Sequence, residues 1–334
     1  MVMKRFQPLI LFSFLVAIAN NIFAQQEKAV VNNSYTAFTI PQKDLIPENL
    51  AYNPADKCFY VGSTHHRKVV KVTAEGNVSD FIKDSQNGEW MVVGMKIDSS
   101  RQHLWFCSSI GDVMQGYHDG DFGTHTGVFK YDLRNGKLIR KYILEKTNGL
   151  HFFNDLVLDG NGNVYLTDMP GNAVYAIYAV KDSLQMFSQL SGFTDPNGIA
   201  LSADEKKLFL ATNEGLAVMN LQTKETSLIK HDSVMKTRGI DGLYFYKNTL
   251  VAVQNGYNRI MQFYLTSSMD EIKTSRIIES NHPFFSMNPT TGVIVGNMFY
   301  YISNSQFGSF KEGHEIFPSD QLYEVVVLKT ILPD

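Results

Sequence analysis

A short unit recurs six times along this chain: a small or polar start, a brief apolar run, a turn, and an aromatic-rich strand. It reads PENLAYNPADKCFYVGST at 47–64, VVGMKIDSSRQHLWFCSS at 92–109 and FNDLVLDGNGNVYLTD at 153–168. It returns as PNGIALSADEKKLFLATN at 196–213, IDGLYFYKNTLVAVQNG at 240–256 and PTTGVIVGNMFYYISNS at 289–305. The copies start about 40 to 60 residues apart, the length of a four-stranded propeller blade. Third strands follow most copies, as in KVVKVT (68–73), GVFKYDL (127–133) and NAVYAIYA (172–179), and GKLIRKYIL (136–144) reads as a fourth. Turn signals punctuate them at Asn135-Gly136, Asp159-Gly160-Asn161-Gly162 and Asn255-Gly256. Helical periodicity is scarce. The pattern predicts an all-β, six-bladed β-propeller of mostly four-stranded antiparallel blades around a central channel, a closure that leaves only short edges. YTAFTI (35–40) is placed to supply the outer strand of the last blade. A β-sandwich or a parallel β-helix is the rival arrangement.

The N-terminus carries a different signal. Lys4 and Arg5 precede an apolar run from Pro8 to Ala19, and Ile22-Phe23-Ala24 precedes Gln25. This reads as a secretory signal peptide over 1–24, too short for a good membrane span. The expectation is an exported protein, periplasmic or extracellular, with one propeller domain over 25–334 and no stable membrane insertion after cleavage. Net charge is −3, with no basic cluster, which argues against nucleic acid as a partner. Cys58 and Cys107 are the only cysteines, so a disulfide framework is excluded, and two buried thiols are expected rather than a single bridge.

Inner strands of a propeller run in the same sense, so equivalent positions lie at similar heights around the axis. Glu48 precedes Tyr60 by twelve residues, Asn154 precedes Tyr165 by eleven, and Asn197 precedes Phe209 by twelve. Asp241 holds the same place in the fifth unit, Val93 in the second, and Thr290 or Thr291 in the sixth. Four of the six positions thus carry side-chain oxygens. An Asn-Gly alone marks a turn, and a carboxylate alone is usually solvated; a shared slot predicts convergence instead. Two carboxylates and two amides suit a hard cation, with Ca²⁺ favoured because it accepts such oxygens at variable coordination. Zinc would call for His or Cys. Another oxygen-loving divalent ion, such as manganese, remains an alternative.

IPENLAYN, FFNDLVLDGNGNVYLTD, DPNGIALSADEKKLFLAT and GIDGLYFY together resemble the SMP-30/gluconolactonase-like six-bladed propellers, whose relatives include diisopropylfluorophosphatase and the paraoxonases. The resemblance covers most of the chain after residue 40. It implies that Glu48, Asn154, Asn197 and Asp241 hold a catalytic Ca²⁺, and that the protein hydrolyses a lactone or phosphoester. The paraoxonase branch also implies a second, structural ion on the residues that follow two of these ligands, here Asn49 and Asp155; Asn49 stands where that branch has an acid. Where paraoxonases place a catalytic histidine, this chain has Ser108-Ser109. The chain is also similar, more weakly, to the major royal jelly/yellow proteins, which implies a non-enzymatic, metal-stabilised propeller that binds a ligand or partner.

The resemblance and the residues together predict a Ca²⁺-dependent lactonase-type hydrolase acting on a small molecule. Calcium acidifies water less than zinc does, so a carboxylate base would be useful. Asp241 is the candidate, as ligand and as base or nucleophile, with Asn154 beside it. Other candidates for a base or a pocket position are His118 and His125 in the long insertion 110–127, His151, His282, Thr290 and Thr291. His65-His66 reads as surface. No G-x-S-x-G elbow supports a serine hydrolase. Phe152, Phe153, Phe284, Phe285 and Phe307 either pack between blades or line the channel mouth. A strictosidine-synthase-like propeller, which would need no metal, is a third possibility.

Overall fold

The computed structural model describes residues 30–144 and 149–334. The expected signal peptide, 1–24, lies outside the described residues. Twenty-four strands form six four-stranded antiparallel sheets, and no α-helix occurs among the described residues. The inner strands are Pro47–Asn53, Met91–Asp98, Phe153–Leu158, Ile199–Leu201, Leu243–Tyr246 and Gly292–Val295, which define blades one to six. Each of the first five blades runs outward in chain order. The sixth is closed from the far end of the chain: Tyr35–Ile40 pairs antiparallel with Val325–Ile331, so the first described strand becomes the outermost strand of the last blade. This ties the chain ends together and removes the seam at which the ring would open.

In most blades the second strand is the most deeply buried, because both of its faces meet a neighbouring blade. Cys58–Ser63, Val164–Asp168 and Thr249–Gln254 are buried at every position. Six apolar clusters fill the seams between blades. Outer strands lie against solvent on one side and lose the apolar run: Val78–Ile82 keeps only Ile82 buried, and the three-residue Thr226–Leu228 has no buried residue. Cys58 and Cys107 are buried free thiols. No helix among the described residues is long and apolar enough to cross a membrane.

A bulge recurs at the start of every inner strand. In blade one, Pro47 pairs with Ser63 and Leu50 with Val61, so Glu48 and Asn49 together oppose Gly62. Val93-Gly94 and Asn154-Asp155 are bulged in the same way in blades two and three. The last three blades repeat it through hydrogen bonds: Asn197 N–H to Ala211 O (2.8 Å) and Ala211 N–H to Gly198 O (2.9 Å), and likewise at Asp241-Gly242 and Thr290-Thr291. Bulges re-aim side chains and gather next to functional sites. The register settles the sixth position on Thr290.

Candidate active site at the propeller axis

The bulges of alternate blades carry acids that feel one another. Glu48, from blade one, is held well above the usual carboxylate range, first by burial and then by the charges of Asp241 and Asp155. Asp241, from blade five, is pushed up to about 7 by burial and by Asp155, opposed by a hydrogen bond from Asn197. Buried carboxylates from blades one, three and five therefore lie near enough for their charges to act on one another. Asn255 Nδ2 donates to Asp241 Oδ2 at 2.9 Å and orients that carboxylate. Asn154 is buried at the equivalent place in blade three.

Hydroxyl groups stitch these bulges across the seams. Thr290 and Thr291 both donate through Oγ1 to the Glu48 carbonyl, at 2.9 and 2.7 Å, which closes blade six on blade one. Thr167 Oγ1 donates to the Asn197 carbonyl at 2.7 Å. The two threonines are thus buried ties for Glu48 and not open pocket positions, which corrects the sequence expectation for them.

Several oxygens near the axis are left unpartnered. Asn197 Oδ1, Asp155 Oδ2 and Asn49 Oδ1 are buried with no hydrogen-bond partner. A buried polar group normally finds one, so such atoms call for a missing ligand, ion or water. No group of three His, Cys, Asp or Glu side chains alone is arranged to hold a metal among the described residues. A cation here would draw on the amide oxygens as well as the carboxylates. Oxygen-only donors with mixed charge fit Ca²⁺, and Glu48, Asn154, Asn197 and Asp241 are the side chains that would hold it.

The remaining candidates lie elsewhere or are occupied. His118 and His125 are exposed on the insertion, where the His125 ring lies 5.5 Å from that of Trp90. His151 Nδ1 meets the fully buried Asp168 carboxylate at 2.5 Å. His282 accepts from Phe284 N–H and caps the 3-10 turn Pro283–Met287. Ser109 Oγ is bonded to Thr126 and to the Phe153 carbonyl, and Ser108 Oγ accepts from Trp90 N–H. Phe152, Phe153 and Phe285 are core residues, and Phe284 and Phe307 pack against that core. His65 is not a surface residue: it is buried, with Nδ1 2.8 Å from the Val113 carbonyl, because the insertion folds down on it. The insertion has an apolar underside of Ile110, Val113, Met114 and Phe122, and it meets the last blade's loop where the Tyr117 ring lies 4.6 Å from that of His314.

Two residues at the axis carry no obvious sequence signal. Lys96, from blade two, places Nζ 3.0 Å from Asp155 Oδ1 and 5.7 Å from the centroid of the Tyr244 ring in blade five. Blades two and five face each other across the ring, so this ammonium stands in the channel. Lys96 and Tyr244 occupy one aligned position, three residues after the bulge, where the other blades have Ala51, Val157, Ala200 and Val293. A lone charge in that apolar column is the signal that could have found Lys96. Asn255, read as a turn, is the other.

Residues 121–244 match the model of the SMP-30/Gluconolactonase/LRE-like region. This stretch is an SMP-30/gluconolactonase-like region. It contains Asn154, Asp155, Asn197 and Asp241; Glu48 and Lys96 fall outside it. Among solved structures, a gluconolactonase from Xanthomonas campestris superposes with a TM-score of 0.62 at 14% identity, covering 93% of each chain. The allergen Mala s 1 of Malassezia sympodialis gives 0.67 at 13% identity, over 89% of this chain and 96% of that one. Virginiamycin B lyase from Staphylococcus aureus gives 0.57 at 15% identity, over 87% and 83%. At such identities the likeness is one of fold. No curated protein sequence matches the chain.

The raised carboxylates have a consequence for stability. In chelator, folded Asp241 holds its proton up to about pH 7, whereas an unfolded aspartate loses it near ~3.9. The folded state therefore binds more protons between these values, and stability falls as pH rises through them. With EDTA present, the Asp241→Asn protein should lose less melting temperature than wild type between pH 5 and pH 8. An equal or larger loss in the variant would contradict the assignment.

Proposed function

We propose that the protein is an exported, Ca²⁺-dependent hydrolase of lactones or related esters, working at the axial cluster on a small-molecule substrate. The observation that carries this reading is the burial of Glu48, Asp155 and Asp241, whose charges act on one another, together with the unpartnered Asn197 and Asp155 oxygens. The SMP-30/gluconolactonase-like region that supplies three of the four candidate ligands supports it. A bound calcium ion would supply positive charge that polarises a carbonyl and offsets a developing oxyanion. Glu48, anchored by Thr290 and Thr291, holds the site's inner charge in place. Asn154 and Asn197 contribute neutral oxygens, which keep the site attractive to an electron-rich carbonyl. Asp241, oriented by Asn255, takes the proton from water or attacks directly.

The position of the histidines favours a second reading. His118 and His125 are exposed on the insertion, so the base role rests on Asp241 alone; without turnover, the same site would be a metal-stabilised ligand-binding propeller. A panel of sugar lactones, acyl lactones and aryl esters, assayed with EDTA and after calcium is restored, separates the two. Hydrolysis lost to EDTA and recovered with calcium is expected. Tight binding of a lactone without turnover would replace the hydrolase reading with the binding one, and turnover indifferent to EDTA would remove the metal from the reaction.

A further inference from the structure

We propose that the Lys96 ammonium is a resident cation of the axial cluster, so that the channel takes one divalent ion and not two. The inference rests on the axial metal proposed above and concerns what the rest of the cluster does around it. Asn49 and Asp155 are the side chains next to the candidate ligands, and both keep unpartnered buried atoms. Taken alone, those atoms invite a second ion. Lys96 Nζ already stands 3.0 Å from Asp155 Oδ1, inside the channel and over the face of Tyr244. Its side chain is 22% exposed and that of Asp155 only 2%, so the pair is largely shielded from bulk solvent.

Charge balance decides between one ion and two. Glu48, Asp155 and Asp241 bring three negative charges to the axis, and Lys96 brings one positive charge. One divalent cation neutralises what remains. A second would leave a buried surplus of two positive charges, with Lys96 as its near neighbour, and uncompensated buried charge is strongly disfavoured. The ammonium is held there by packing as well as by charge. Gly94 carries no side chain just where Asp155 approaches: a Cβ there would lie 2.7 Å from Asp155 Oδ1. The bare backbone of blade two lets Asp155 come close enough to pair with Lys96 two residues further along the strand.

The test is the calcium stoichiometry of the folded protein, read by calorimetric titration and by metal analysis after desalting. Wild type is expected to bind one ion per chain. Lys96→Met exposes the third carboxylate charge and is expected to bind two. The charge-restored double variant, Lys96→Met with Asp155→Asn, is expected to return to one. Two ions in wild type would overturn the proposal and leave the axial metal reading standing. No ion in wild type would overturn that reading and this inference with it. A Lys96→Met protein that still binds a single ion also overturns the proposal, whatever its melting temperature. If Lys96→Met does not fold, the double variant carries the test: folding with one ion supports the proposal, and failure to fold or a second ion contradicts it.

Discussion

Asp241→Asn is expected to lower lactone turnover by about 10²–10⁴-fold, the span that a positioned acid–base group supplies, while the protein folds normally. The substitution keeps shape and keeps an oxygen to accept from Asn255 Nδ2. It removes one of the carboxylates that repel each other at the axis, so the chelated variant should melt higher than chelated wild type at pH 8. Calcium should bind it more weakly, because one ligand charge is gone. Activity and apo-stability thus move in opposite directions, a split that a merely structural aspartate would not give. Circular dichroism melts and initial rates on the best lactone of the panel read both. Turnover equal to wild type would remove Asp241 from the chemistry.

Gly94→Ala is expected to have the largest effect on stability. Gly94 sits in the blade-two bulge, and an added Cβ would press into the Asn154 carbonyl and the Asp155 Cα, with Asp155 Oδ1 2.7 Å away. Two of those three atoms are backbone and cannot swing aside. Overpacking costs about 1–3 kcal/mol where side chains can adjust, and the rigid neighbours here put the cost at the upper end of that range. The damage also reaches the site, since Asn154 and the Asp155–Lys96 pair must shift together. Gly308→Ala is the control, because no atom lies within 4 Å of a Cβ placed there. A melting temperature lowered only in Gly94→Ala, with weakened calcium binding, is the expected result. Equal melting temperatures would show that blade two does not press on blade three as described.

The inner two strands of each blade were legible because turn residues and aromatics recur at a fixed interval, and burial on both faces demands apolar runs. Apart from YTAFTI and GKLIRKYIL, outer strands were not, since a segment such as Thr226–Leu228 has one wet face and only three residues in which to show a period. Aligning the units placed Glu48, Asn154, Asn197 and Asp241 at one level, but the choice between Thr290 and Thr291 needed the bulge register. Lys96 was missed because a single lysine in a strand reads as solvent-facing; the ring turns its side chain inward to Asp155. Asn255 was missed because Asn-Gly is also what a turn needs, and here one asparagine opens a 3-10 turn and steadies a carboxylate. His65 looked exposed because nothing in its own segment shows that an insertion from the next blade will cover it.

The most direct measurement is a diffraction experiment on crystals grown in saturating calcium, with the ion located by its anomalous signal. One ion at the axis is predicted, with oxygens of Glu48, Asn154, Asn197 and Asp241 about 2.3–2.6 Å away. Density for water alone between those four side chains, or an ion bound only elsewhere, would contradict the claim that they form a calcium centre.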